Sequence, residues 1–177
     1  MKGFNMKIIE AIKTNNFKTL IKEFTGFDYQ PKKNRLKYGN NNYFDLDTLQ
    51  AVSYGWWVYF RFIDGIAVFN KHRYSATTSK HQSYMNGLLS DIKIYIDVRI
   101  DTRANIQYWS IEDLEKQLKA ELASAQLALE QCVRKVSNKR KLAERKIENL
   151  QWYLERVQEK IQDKKISASS NVIKLRA

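Results

Sequence analysis

SIEDLEKQLKAELASAQLALEQCVRKVSNKRKLAERKIENLQWYLERVQEKIQDKK, residues 110–165, contains no Gly and no Pro. Apolar residues recur through it every three or four positions, the spacing that gathers side chains on one face of a helix. One seam runs Leu118, Leu122, Ala125, Leu129, Cys132, Val136, and from Leu122 its steps alternate in the heptad rhythm. Lys139 falls on the next seam position, followed by Ala143. A second seam runs Ile147, Leu150, Leu154, Val157, Ile161, entered by a step that is one residue too long. Two structures fit that phase shift. A continuous helix of about 55 residues would be about 80 Å long and would need a second copy of the chain to cover its apolar stripe. Alternatively, Ser137-Asn138 is a turn and two helices form an antiparallel hairpin. The lack of helix breakers favours continuity. The expectation is therefore a coiled coil over 110–165 that makes a homodimer through Leu118, Leu122, Leu129, Val136, Ile147, Leu150, Leu154, Val157 and Ile161. Ser110 followed by Asp113 fits a capping box at its start. The Ser-rich run in 166–177 predicts a flexible tail.

Upstream, Ile8, Ile9, Ile12, Phe17, Leu20, Ile21 and Phe24 keep helical spacing, so 1–27 reads as an N-terminal helical segment ended by Thr25-Gly26. Residues 28–50 are polar and basic, with Pro31, the run Lys32-Lys33-Asn34-Arg35 and Asn40-Asn41-Asn42, and read as a loop or linker. The strongest strand signal is Trp56–Ile63, followed by Asp64-Gly65, the preferred composition of a two-residue hairpin turn, and the return strand Ile66–Asn70. Such a turn sets Ile63 opposite Ile66, Phe62 opposite Ala67 and Phe60 opposite Phe69. Both faces of that hairpin are apolar, so both should be covered. A helix starting near Thr77–Ser79 would gather His81, Met85, Leu88 and Ile92 on one face. The alternation of Ile94, Ile96, Val98 and Ile100 with Lys93, Tyr95, Asp97 and Arg99 predicts a half-buried strand. The fold class is α+β: an N-terminal helix, a small ββαβ antiparallel or mixed sheet domain over 51–105, and the long C-terminal coiled-coil helix or helical hairpin.

The 177 residues carry 31 Lys and Arg against 19 Asp and Glu, a net charge of +12. A surface so basic attracts nucleic acid, anionic lipid or an acidic protein. One Cys, Cys132, forbids an intramolecular disulfide, and with no visible signal peptide a cytoplasmic location is expected. No apolar run approaches the roughly 18 residues that span a membrane.

Two stretches have the chemistry of anion binding. Lys71, His72, Arg73 and Lys80 flank a hydroxyl-rich helix start with Thr77 and Ser79, where amides, hydroxyls and cations can converge on a phosphate. The same pattern also suits a capped helix beside a solvated basic loop. Arg134, Lys135, Lys139, Arg140, Lys141, Arg145 and Lys146 form a cationic band with a single acid, Glu144. Such a band can track a phosphate backbone, or be a solvated helix face. Tyr54, Trp56, Trp57 and Tyr59 beside Arg61 and Arg73 could stack bases of single-stranded nucleic acid; apolar residues on both strand faces favour core packing instead.

Catalytic readings are thin. One Cys and two His make no zinc set. Asp91, Asp97 and Asp101 could hold Mg²⁺ for a nuclease, but lack a companion Glu/Lys pattern. No cofactor or metal is expected. The Asn-, Lys- and Tyr-rich composition is similar to that of many short bacteriophage and mobile-element proteins. The expected function is a non-enzymatic, basic, nucleic-acid-associated protein, DNA being the first choice, that dimerises through its C-terminal coiled coil. The alternative is a phage- or mobile-element-encoded inhibitor or adaptor that covers an acidic site on a host or defence protein complex.

Overall fold

The computed structural model describes residues 28–73, 75–88, 93–98, 105–132 and 137–174. The helix expected over 1–27 lies outside the described residues. The chain divides into two compact units, Met1–Tyr108 and Trp109–Ala177.

The first unit is built on a seven-stranded sheet: β1 Asp28–Gln30, β2 Arg35–Lys37, β3 Asn42–Asp45, β4 Gln50–Ser53, β5 Trp57–Ile63, β6 Ile66–Asn70 and β7 Lys93–Ile96. The strands lie side by side in chain order. Neighbours are antiparallel from β1 to β6, and β7 joins β6 in parallel. A parallel neighbour needs a crossover, which helix α1, Ala76–Leu88, supplies.

Residues 28–50 are therefore not a loop. Their polar residues are the turns between short strands. Asn34, Asn41 and Gly39 take positive φ values of 41°, 61° and 62°, the left-handed region that Asn and Gly tolerate best. The Asp45 carboxylate accepts from the Thr48 amide at 2.8 Å and the Thr48 hydroxyl at 2.7 Å, closing the next turn. Between these turns Leu36, Phe44 and Leu46 are buried while Tyr43 and Asp45 are only half-buried, the period of a strand with one face inward.

The Asp64-Gly65 hairpin has the register its turn composition predicts: Ile63 pairs with Ile66, Phe62 with Ala67 and Phe60 with Phe69. Asp64 and Gly65 both take positive φ, 46° and 80°, as a turn matched to strand twist requires. On its other side β5 departs from simple alternation. Ala51 pairs with Phe60 but Val52 pairs with Val58, so Tyr59 is an extra residue in a bulge. Trp57, Val58, Tyr59 and Phe60 are consequently all buried, and Trp57, Tyr59 and Phe60 join one cluster with Leu36, Phe44, Leu46, Ala51, Phe69 and Met85. Strict alternation would have put Tyr59 and Phe60 on opposite faces. Ile63, Ile66, Val68 and Ile94 are buried as well, so neither face of the hairpin is left wet. In β7, Ile94 and Ile96 are buried, Tyr95 is half-buried and the following Asp97 is exposed, as the alternation implies.

The second unit is a helical hairpin. Helix α2 spans Ile111–Glu130 and helix α3 spans Asn138–Lys174. The two pack on each other, and a hydrogen bond from Gln158, midway along α3, to Glu115, near the start of α2, lies far from the short connection between the helices, so they run antiparallel. The single helix over 110–165 is corrected accordingly. Ser137 makes the restart possible: its hydroxyl accepts the Arg140 amide at 3.1 Å and its carbonyl accepts the Lys141 amide at 3.1 Å. Folding back also lets each apolar stripe cover the other without a second copy. The expected capping box is present, with Asp113 N donating to Ser110 Oγ and Ser110 N to Asp113 Oδ2.

The buried seam of α2 is Ile111, Leu114, Leu118 and Ala125, with Glu121 among them, while Leu122 and Leu129 are half-buried. On α3, Leu150, Leu154 and Val157 are buried and Ile147 and Ile161 half-buried. Val136 lies outside the described residues. The flexible tail expected from 166 is instead helix through Lys174; serine without Gly or Pro slows a helix but does not stop it. Among the described residues no helix is long and apolar enough to cross a membrane.

Candidate functional site

The basic loop between β6 and α1 is held from below by buried amides. Asn70 Oδ1 accepts the His72 amide at 3.0 Å and the Val98 amide at 3.3 Å. Gln82, on the buried side of α1, donates from Nε2 to the Asn70 carbonyl at 2.7 Å and the His72 carbonyl at 2.8 Å. The start of α1 is closed reciprocally: Ser75 Oγ accepts the Thr78 amide and Thr78 Oγ1 accepts the Ser75 amide. Thr78 is buried by this role, whereas Thr77 is exposed and Ser79 half-buried.

Against this scaffold lies an open groove of about 810 Å³, lined by Tyr38, Gly39, Arg73, Thr77, Ser79, Lys80, His81 and Ser83. A smaller hollow of about 250 Å³ includes Lys71, Arg73, Ser79, Gln82, Ser83 and Tyr95 in its lining. The two share Arg73, Ser79 and Ser83. No Asp or Glu is among the described residues lining either hollow. Lys71, Arg73 and Lys80 are exposed. The structure thus brings together five of the six residues predicted for an anion site here: Lys71, Arg73, Thr77, Ser79 and Lys80. His72 lines neither hollow; its Nδ1 lies 3.3 Å from Asp97 Oδ1. Tyr38 and Gly39 were not foreseen, because the turn that carries them was read as part of a linker. The Tyr-Gly-Asn sequence between two short alternating segments was the available signal.

His81 is nearly buried and shares a hydrogen bond of 2.9 Å between Nδ1 and Ser53 Oγ. Burial pushes its pKa below the ordinary histidine value, so the ring is neutral near pH 7. The Tyr54 ring lies 6.1 Å from it, tilted by 49°. Beneath, Tyr59 donates to Asn42 Oδ1 at 2.9 Å, and burial raises its phenol far above the usual range.

The aromatic cluster divides. Trp57 and Tyr59 are core, while Tyr54 and Trp56 are 42% and 43% exposed at the β4–β5 turn. Arg61 faces the 3-10 turn Ile106–Tyr108, donating from Nη1 to the carbonyls of Ile106 and Gln107. It is a structural cation, and burial lowers its pKa despite the carboxylate of Asp64.

On α3, Lys139, Lys141, Arg145 and Lys146 are exposed, and Arg140 pairs with Glu144 at 2.9 Å. Arg134 and Lys135 lie outside the described residues. The first turn of α3 holds no acid, although acids there would suit the helix dipole. Leu142, 65% exposed, stands among these cations, and Leu127 near the end of α2 is 55% exposed.

Asp97 shares a hydrogen bond with His72, and Asp91 and Asp101 lie outside the described residues. Among the described residues no group of three His, Cys, Asp or Glu could hold a metal ion. No family model, curated protein or solved structure matches this chain.

Proposed function

We propose that this chain is a nucleic-acid-associated protein that works by binding, gripping the phosphate backbone at the groove beside α1. The observation that carries the reading is that Lys71, Arg73 and Lys80 line hollows with no carboxylate among their described lining residues, next to the capped start of α1. The proposal needs no second copy, since α2 and α3 cover each other's apolar stripes. A mobility shift with random-sequence DNA, repeated over a salt series, tests it. The expected result is retardation at micromolar protein that fades steeply with salt. Charge reversal of Arg73 and Lys80 together should flatten the slope of log K against log salt by about 2. Binding that persists undiminished in that variant would remove the groove from the reading.

The turn end of the helical hairpin supports a second use. Exposed Leu127 and Leu142 add nothing to a phosphate contact, but beside Lys139, Lys141 and Arg145 they suit an acidic protein surface with an apolar centre. Pull-down with Leu142→Lys against the unaltered chain separates this reading: loss of a captured protein with DNA binding intact supports it, and unchanged capture rejects it.

A further inference from the structure

The β4–β5 turn is built against the preference of its own sequence. Tyr54 takes φ 56° and Gly55 φ 79°, and the Trp56 amide closes the turn on the Ser53 carbonyl at 3.4 Å. Turns of this kind favour Asn or Asp ahead of the Gly; a tyrosine there is held in a strained region. The neighbouring structure holds it firmly. The Tyr54 amide donates to the Asn41 carbonyl at 2.7 Å, and Asn105 Nδ2 donates to the Trp56 carbonyl at 2.6 Å. The effect is to project two aromatic rings, each more than two-fifths exposed, from a fixed backbone. Tyr54 lies against His81, and His81 is also a wall of the groove that Arg73 and Lys80 enter. The platform and the cationic groove therefore share a residue.

We infer that Tyr54, with Trp56 beside it, is a stacking platform for an unpaired base, so that the ligand of the groove is single-stranded nucleic acid. The inference rests on the phosphate-binding reading of the groove and adds the class of ligand to it. A phosphate site alone has no use for an exposed aromatic ring. A duplex keeps its base faces covered, whereas a single strand offers one to any flat ring, whatever the base. Charge and aromatic surface side by side are the two components such a strand needs. A rigid ring also loses little conformational freedom when a base settles on it. His81, neutral and nearly buried, backs the Tyr54 ring without adding charge of its own.

Fluorescence anisotropy of the full chain with a labelled oligo-dT and with a duplex of equal length tests the inference, using Tyr54→Asn and Tyr54→Phe. Asn fits the left-handed backbone, so the turn stays closed, and Phe keeps the ring. Tighter binding of the single strand is expected, together with about a tenfold loss in Tyr54→Asn, retention in Tyr54→Phe and no change in duplex binding. Equal, salt-sensitive binding of both ligands, unaltered by Tyr54→Asn, would leave the phosphate groove standing and overturn the platform. Failure of both ligands to bind would overturn the two together. Polyglutamate competing as well as oligo-dT at equal charge would also overturn it, since a carboxylate polymer has no base to stack. An oligo-U arm decides between DNA and RNA.

Discussion

Gln82 holds Asn70 by its carbonyl, at 2.7 Å, and through the same amide nitrogen reaches the His72 carbonyl. A buried residue on α1 thereby sets the path of the loop that carries Lys71 and Arg73, although Gln82 itself bears no charge. Gln82→Ala is expected to lower stability by about 1–3 kcal/mol, because buried carbonyls lose their donor. It should also weaken DNA binding while leaving every cation in the sequence. Urea denaturation and anisotropy on the same preparation measure both; a stability loss with fully retained affinity would show that the loop does not depend on this clamp.

The Ser53–His81 contact predicts a pH dependence. Burial keeps the His81 pKa below its ordinary value. As pH falls through about 6.5, the unfolded chain takes up this proton and the folded chain does not, so folded stability declines with falling pH. His81→Gln should flatten that part of the curve in denaturation between roughly pH 7.5 and 5.5. Glu115 acts in a different window. A hydrogen bond from Lys119, then one from Gln158, holds its pKa below the usual carboxylate value, so its contribution is present above that value and is lost as pH drops through the folded one. An unchanged slope in His81→Gln would assign the pH effect to another group.

Tyr54→Asn should be neutral to stabilising, by up to about 1 kcal/mol, because Asn relieves a left-handed backbone that tyrosine disfavours. Thermal melting reads the sign. Destabilisation beyond about 1 kcal/mol would mean that the tyrosine ring packs more than it strains.

Lys139 distinguishes the hairpin from a continuous coiled coil. It would occupy a seam position in a long dimeric helix, where Lys139→Leu would strengthen association. In the hairpin it is exposed in the first turn of α3, so sedimentation of Lys139→Leu should match the unaltered chain. Lys139→Glu should stabilise α3 by about 0.3–1 kcal/mol through the helix dipole. A leucine-driven shift to dimer would restore the extended helix.

The core of the hairpin offers a last measurement. Leu154→Ala removes a buried side chain of α3 and should cost about 2–5 kcal/mol. Circular dichroism during denaturation would follow the loss of helix; a cost below about 1 kcal/mol would mean that the seam is loosely packed.

Local chemistry was legible where one short motif decides one conformation. Asp64-Gly65 set a register, Ser110 with Asp113 set a helix start, and the alternation Ile94 to Val98 set which side chains of β7 are buried. Residues 28–50 were misread because strands of three or four residues are no longer than the turns that separate them, so the turn residues dominate the composition. The bulge at Tyr59 has no signature in β5 alone, because it depends on the partner strand. Continuity of the C-terminal helix was inferred from missing Gly and Pro, yet a serine cap and mutual cover of two apolar stripes suffice to fold it back. The anion groove was half legible. Lys71–Lys80 is contiguous in sequence, whereas Tyr38 and Gly39 reach it only through the sheet.

The extra residue in β5 also acts as a key. A strand greasy on both sides would accept its neighbour in several offsets, each burying similar surface. With Tyr59 inserted, only one offset lets its hydroxyl meet Asn42 and its ring meet Phe69 at 6.1 Å. Sliding by a residue in either direction would strand a phenol in hydrocarbon. The irregularity that hides the alternation from a reader of the sequence is what denies the folding chain its slipped alternatives.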